Sequence, residues 1–69
     1  MERQAVSSSN LASVGYDPGS ETLEVEFNNG RMYQYYNVPQ FMHERLMEAG
    51  SMGNFLNTQI KGAYACSQV

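Results

Sequence analysis

Glu21-Thr22-Leu23-Glu24-Val25-Glu26-Phe27-Asn28-Asn29-Gly30-Arg31-Met32-Tyr33-Gln34-Tyr35-Tyr36 reads as a β-hairpin against which the rest of this 69-residue chain must pack. Leu23, Val25 and Phe27 alternate with Glu24 and Glu26, the period of a strand with one face in the core and one in water. Asn28, Asn29 and Gly30 tolerate positive φ, and a second alternating run follows at once. Two registers are open. A two-residue Asn29-Gly30 turn pairs Phe27 with Met32 and sends Tyr33 and Tyr35 to the side of the glutamates. A three-residue loop closed by a left-handed Gly30 pairs Phe27 with Arg31, setting Tyr33 opposite Val25 and Tyr35 opposite Leu23. The second is favoured, because a one-residue slip turns two large rings out of the core, and apolar burial yields roughly 25 cal/mol per Å².

The flanks extend this unit. Residues 1–6 fit a short edge strand through Ala5 and Val6, broken by Ser7-Ser8-Ser9-Asn10, whose side chains favour turns. Leu11 to Tyr16 reads as a strand in which Gly15 signals close approach by another part of the chain. Asp17-Pro18-Gly19-Ser20 is a turn into the hairpin. After Tyr36 the period changes to about 3.6. Pro39 opens a helix with Phe41, Met42, Leu46 and Ala49 on its apolar face and ending at Gly50. Ser51 is an N-cap for a second helix with Phe55, Leu56 and Ile60 inward. The expectation is an α+β fold: an antiparallel β-meander of three to four strands followed by two short helices packed on one sheet face. Residues 1–64 form a single domain and residues 65–69 a flexible tail. The other sheet face, with Glu24, Glu26, Gln34, Tyr36 and Met32, meets water or another copy.

Composition narrows the function classes. A chain this short buries roughly 60% of the surface its unfolded form exposes, so its stability is small and leaves little for a strained active site. The net charge is −3, and Arg3, Arg31, Arg45 and Lys61 are scattered along the sequence rather than clustered. One histidine, His43, and one cysteine, Cys66, support neither a zinc site nor a Cys-His pair. Glu44 and Glu48, beside His43 on one helix, read as a solvated face rather than a metal corner. The six glycines make no phosphate-binding loop. No apolar stretch reaches the roughly 18 residues a membrane helix needs, and the N-terminus has no signal-peptide core. The expectation is a cytoplasmic protein with no cofactor, no metal and no membrane contact, and not an enzyme.

Ser8-Ser9-Asn10, Gly15-Tyr16-Asp17, Leu23-x-Val25-x-Phe27, Gly30-x-x-Tyr33-x-Tyr35, Val38-Pro39 and Ser51-x-Gly53-x-Phe55-x-Asn57-x-x-Ile60-x-x-x-Tyr64 occur in an order and spacing that resembles the KTSC domain. The resemblance runs from about Val6 to Tyr64. It departs from the pattern at Leu56, where an aromatic residue is expected, and at Lys61, where arginine is expected. The family is similar in length, occurs in bacteria and phages as free-standing proteins and at the C-terminus of some lysyl-tRNA synthetases, and has an RNA-binding role suggested from that association.

Two functional expectations follow. The first is a small noncatalytic binding module acting through protein contacts or self-association, with a homodimer as a candidate partner state. The alternative is an RNA-binding accessory domain. Candidate contacts are Ser9, Asn10, Tyr16, Arg31, Tyr33, Tyr35, Tyr36, Asn57 and Lys61. Tyrosines on a sheet stack unpaired bases. The favoured register sets Tyr33 and Tyr35 under the helices, whereas Tyr16 and Tyr36 suit stacking if they share the open face. Asn57, a poor helix former inside a helix, has two readings. It is a buried amide satisfying the backbone of Ser9 and Asn10, or it lines a polar pocket between the serine loop and the second helix.

Overall fold

The computed structural model describes residues Met1 to Val69. Five strands run β1 (Arg3–Ala5), β2 (Leu11–Asp17), β3 (Thr22–Phe27), β4 (Met32–Tyr35) and β5 (Cys66–Gln68) in one antiparallel sheet, in sequence order. Between β4 and β5 lie α1 (Gln40–Glu48), α2 (Met52–Phe55) and a π-helical turn (Leu56–Ile60). The α+β meander with two short helices is therefore present, with one strand more than the sequence announces.

The hairpin adopts the three-residue register. Phe27 N–H donates to the Arg31 carbonyl at 2.8 Å and Gly30 N–H to the Phe27 carbonyl at 2.9 Å, with Gly30 at φ +90°. Leu23 pairs with Tyr35 and Val25 with Tyr33. On β2 a bulge at Ala12 changes the alternation, so that Leu11 joins Val14 on the core side although they are three apart. Leu11, Val14, Leu23, Val25 and Tyr35 from the sheet meet Val38, Met42, Leu46, Met52, Leu56 and Ile60 in one core. Each such side chain contributes roughly 1.5–3 kcal/mol when fully buried, enough together to hold two short helices on one sheet face.

The second sheet face is neither bare nor simply wet. Arg3, Gly15, Glu24 and Gln34 lie in register across four strands. A Cβ at Gly15 would meet the Glu2 carbonyl at 2.6 Å and Arg3 Cγ at 3.0 Å, so the glycine is the lane along which Arg3 crosses. Arg3 Nη1 donates to Glu24 Oε2 at 2.6 Å and its Nε to Ser13 Oγ at 2.9 Å, while Gln34 Nε2 donates to Glu24 Oε1 at 2.9 Å. Glu24 is left 8% exposed. Its carboxyl is held below the usual range by the Gln34 amide first and the Arg3 guanidinium second. A buried carboxylate with hydrogen bonds on both oxygens is compensated for its lost hydration.

Two expectations are corrected. Phe41 is 51% exposed, with the Arg45 guanidinium 5.3 Å from its ring centre; the buried stripe of α1 is Met42 and Leu46, about 100° round the helix. Residues 65–69 are not a loose tail. Cys66 to Gln68 pair with β4, and Tyr36 N–H to the Ala65 carbonyl and Val69 N–H to the Met32 carbonyl extend the ladder. The second helix ends at Ile60, ahead of Gly62 at φ +89°; its last bond, Lys61 N–H to the Leu56 carbonyl at 2.7 Å, spans five residues.

Candidate functional site

The serine loop is built by its own side chains and by the hairpin turn. Ser8 Oγ accepts from the N–H groups of Asn10 and Leu11 at 3.2 and 3.3 Å. Asn28 N–H donates to the Asn10 carbonyl at 2.9 Å, and Asn28 Nδ2 donates to the Ser9 carbonyl at 2.9 Å. Asn28 thus clamps the loop to the turn, a role that its position in a turn triplet conceals. On the opposite side Ser51 caps α2, its Oγ accepting from Asn54 N–H at 3.4 Å. A Cβ on Gly53 would collide with the Asn10 amide nitrogen and lie 3.1 Å from Asn10 Cβ, so Gly53 is the shelf on which the Asn10 side chain rests.

Between loop, hairpin and second helix lies a cleft of about 740 Å³. Seven of the nine candidate residues line it: Ser9, Asn10, Arg31, Tyr33, Tyr35, Asn57 and Lys61. Tyr35 forms the floor at 2% exposure, and burial, then Cys66 and Tyr33 beside it, push its phenol up. Tyr33 is half-buried and meets the Phe27 ring edge-on with centres 5.7 Å apart. Asn57 is exposed on the wide π turn rather than buried, which removes the reading of a satisfied core amide and leaves the polar-pocket one.

The other two candidates lie elsewhere, and not on a common face. Tyr16 pairs with Leu23 on the helix side, stacks on His43 with ring centres 4.8 Å apart and planes at 8°, and donates its hydroxyl to the Val38 carbonyl. Burial first, then Glu21 and Asp17, raise its phenol. Tyr36 is half-buried, and its hydroxyl reaches Gln34 Oε1 at 3.2 Å, beside the Glu24 network.

The electrostatics of the cleft differ from those of the chain. Two of the four basic residues, Arg31 and Lys61, line it, and none of the seven acidic residues does. Charges scattered in sequence are thus gathered by the fold. The single salt bridge is Arg3 with Glu24, so both cleft cations are unpaired. The carboxamides of Asn10, Asn54 and Asn57 also line the cleft, and none makes a hydrogen bond within the chain. His43, the chain's one imidazole, lies outside it. No three His, Cys, Asp or Glu side chains converge on a common point. No helix is long and apolar enough to cross a membrane. The cleft presents two free cations, three free amides, hydroxyls and an aromatic wall.

The model of the KTSC domain matches residues 7–64. An uncharacterised protein of Stutzerimonas stutzeri is 46% identical over 61 residues, covering 88% of this chain and 86% of that protein. A lysine–tRNA ligase of Nostoc sp. is 37% identical over 59 residues, 86% of this chain but 10% of the ligase. The crystal structure of a KTSC domain protein from Yersinia pestis superposes with a TM-score of 0.93 at 43% identity, covering 99% of this chain and 96% of that one. The matched segment is a tenth of the ligase, and the names of the other two proteins state no activity.

Proposed function

The chain belongs to the KTSC domain family, and we propose that it acts as a noncatalytic binding module whose cleft takes single-stranded RNA. The observation that carries this reading is an acid-free cleft with two unpaired cations on a chain of net charge −3. Phosphates need neutralising cations, bases need flat apolar surfaces, and base edges need amides. Arg31 and Lys61 supply the first, Tyr33 and Phe27 the second, and Asn10, Asn54 and Asn57 the third. The relation to a segment of lysine–tRNA ligases supports the same class of ligand. The acidic remainder of the molecule slows long-range encounter without altering the cleft itself.

Affinity measured against salt tests this reading. Two phosphate contacts to a single strand give a slope of about −1.4 in log K against log salt, and removing one cation reduces it by about 0.7. Arg31→Ala and Lys61→Ala are each expected to weaken binding of a labelled oligonucleotide and flatten its salt dependence, while Arg45→Ala, on the exposed face of α1, changes neither. Equal effects of all three would point to nonspecific attraction.

A second reading, protein contact or self-association, is favoured by β1, whose residues Arg3, Gln4 and Ala5 are all exposed at a sheet edge. Unpaired strand edges recruit further strands. Sedimentation across a concentration series tests it: a mass that doubles with concentration supports a homodimer, and a constant monomer mass removes it.

A further inference from the structure

A second, smaller hollow of about 350 Å³ adjoins the main cleft, and the two share Ser9 and Ser51. Ser9 and Ser51, two hydroxyl-bearing residues, are the saddle common to both. The smaller lobe is unlike the larger. Ser7, Ser8, Met47 and Met52 line it, and it contains no charged residue of either sign. Resting on the reading of the main cleft as an RNA site, we propose that this lobe is a second subsite for the uncharged part of a neighbouring nucleotide. The ligand is then a chain that crosses the saddle rather than a single nucleotide.

The two lobes divide the chemistry of a nucleotide chain between them. The main cleft holds both cations and the aromatic wall, so it anchors a phosphate and a base. The smaller lobe offers hydroxyls, which both donate and accept and so match a ribose 2′-OH or a base edge. Its thioethers are polarisable and pack against flat rings without demanding one geometry. Met52 is buried in the core cluster and Met47 packs against it, so this wall is fixed from behind. A free mononucleotide gains nothing from the smaller lobe once its phosphate is held in the main cleft. Only a strand that continues past the saddle reaches Met47.

Labelling the methionine methyl groups and the backbone nitrogens of the full chain reads both lobes in one sample. Uridine monophosphate is expected to move Arg31, Asn57 and Lys61 and to leave the Met47 and Met52 methyl signals in place. A single-stranded hexanucleotide is expected to move both sets. Ser7→Glu adds an anion to the smaller lobe at an exposed position whose side chain makes no hydrogen bond in the fold. It should weaken the hexanucleotide about fivefold or more and leave the mononucleotide unchanged. If the hexanucleotide moves only the main-cleft signals and Ser7→Glu alters neither affinity, the second subsite is overturned while the RNA reading of the cleft stands. If neither ligand moves any signal, both fall.

Discussion

Gly53 and Asn10 show how single residues set the shape of this cleft. Glycine inside a helix costs up to about 1 kcal/mol relative to alanine, so its place in α2 has to be explained by what lies against it. The Asn10 carboxamide occupies the space a Cβ would take. Gly53→Ala is therefore expected to gain helix propensity, lose contact with Asn10 and change stability by less than about 1 kcal/mol. It should still shift the Asn10 side-chain amide signal and weaken ligand binding. An unmoved Asn10 amide would contradict the shelf role. Gly15 could be read from its position in a strand, where only close approach justifies it, and Arg3 makes that approach. Asn57 could be read only in part. Its awkwardness in a helix was visible, but the π turn that carries it comes from bonds spanning five residues, and those leave no periodic mark in so short a run.

At the scale of elements, the hairpin register followed from two tyrosines and a glycine, because the alternative exposed both rings. Tyr33→Ala tests that register. The ring is half-buried against Phe27, so its loss should cost about 1–3 kcal/mol, less than a fully buried aromatic side chain. At 4–8 °C per kcal/mol for a domain this size, melting should fall by roughly 4–24 °C. A Tyr33→Ala protein that melts with the parent would contradict the pairing with Val25. The fifth strand was not legible. Cys66, Ser67 and Gln68 are all exposed and lack apolar alternation, and they form a strand because β4 offers unpaired backbone groups at its edge. On α1 the expected stripe holds at Met42 and Leu46 and fails only at Phe41. Phe41 and Met42 are both apolar, and only the direction in which the chain leaves Pro39 determines which faces the sheet.

Across the whole molecule, two titrating groups make the fold sensitive to acid. Burial lowers the His43 imidazole below its usual value, with Glu44 opposing. Between that lowered value and about pH 6.5, the unfolded chain therefore binds more protons than the folded one, and stability drops as pH falls through this window. Glu24 is also lowered, by Gln34 and then Arg3, so its contribution is present above about pH 4.3 and is lost on further acidification. Urea unfolding at a series of pH values should show two successive losses. His43→Phe, which keeps a ring against Tyr16, should remove the first, and Gln34→Ala should reduce the second. A flat profile from pH 7 to 5 in the parent protein would contradict the folded environment of His43.

Charge distribution is the other property of the whole molecule. A net charge of −3 and four dispersed basic residues argue against a nucleic-acid ligand when read along the sequence, whereas in the fold Arg31 and Lys61 line one cleft where no acid lies. The most direct test is a nitrogen-labelled NMR titration with single-stranded RNA, first at low salt and then at about 0.15 M, where screening acts within roughly 8 Å. Shifts at Asn10, Arg31, Tyr33, Asn57 and Lys61 that shrink with added salt are expected. Shifts confined to β1 and the exposed face of α1, or none at either salt, would contradict the cleft as the working surface.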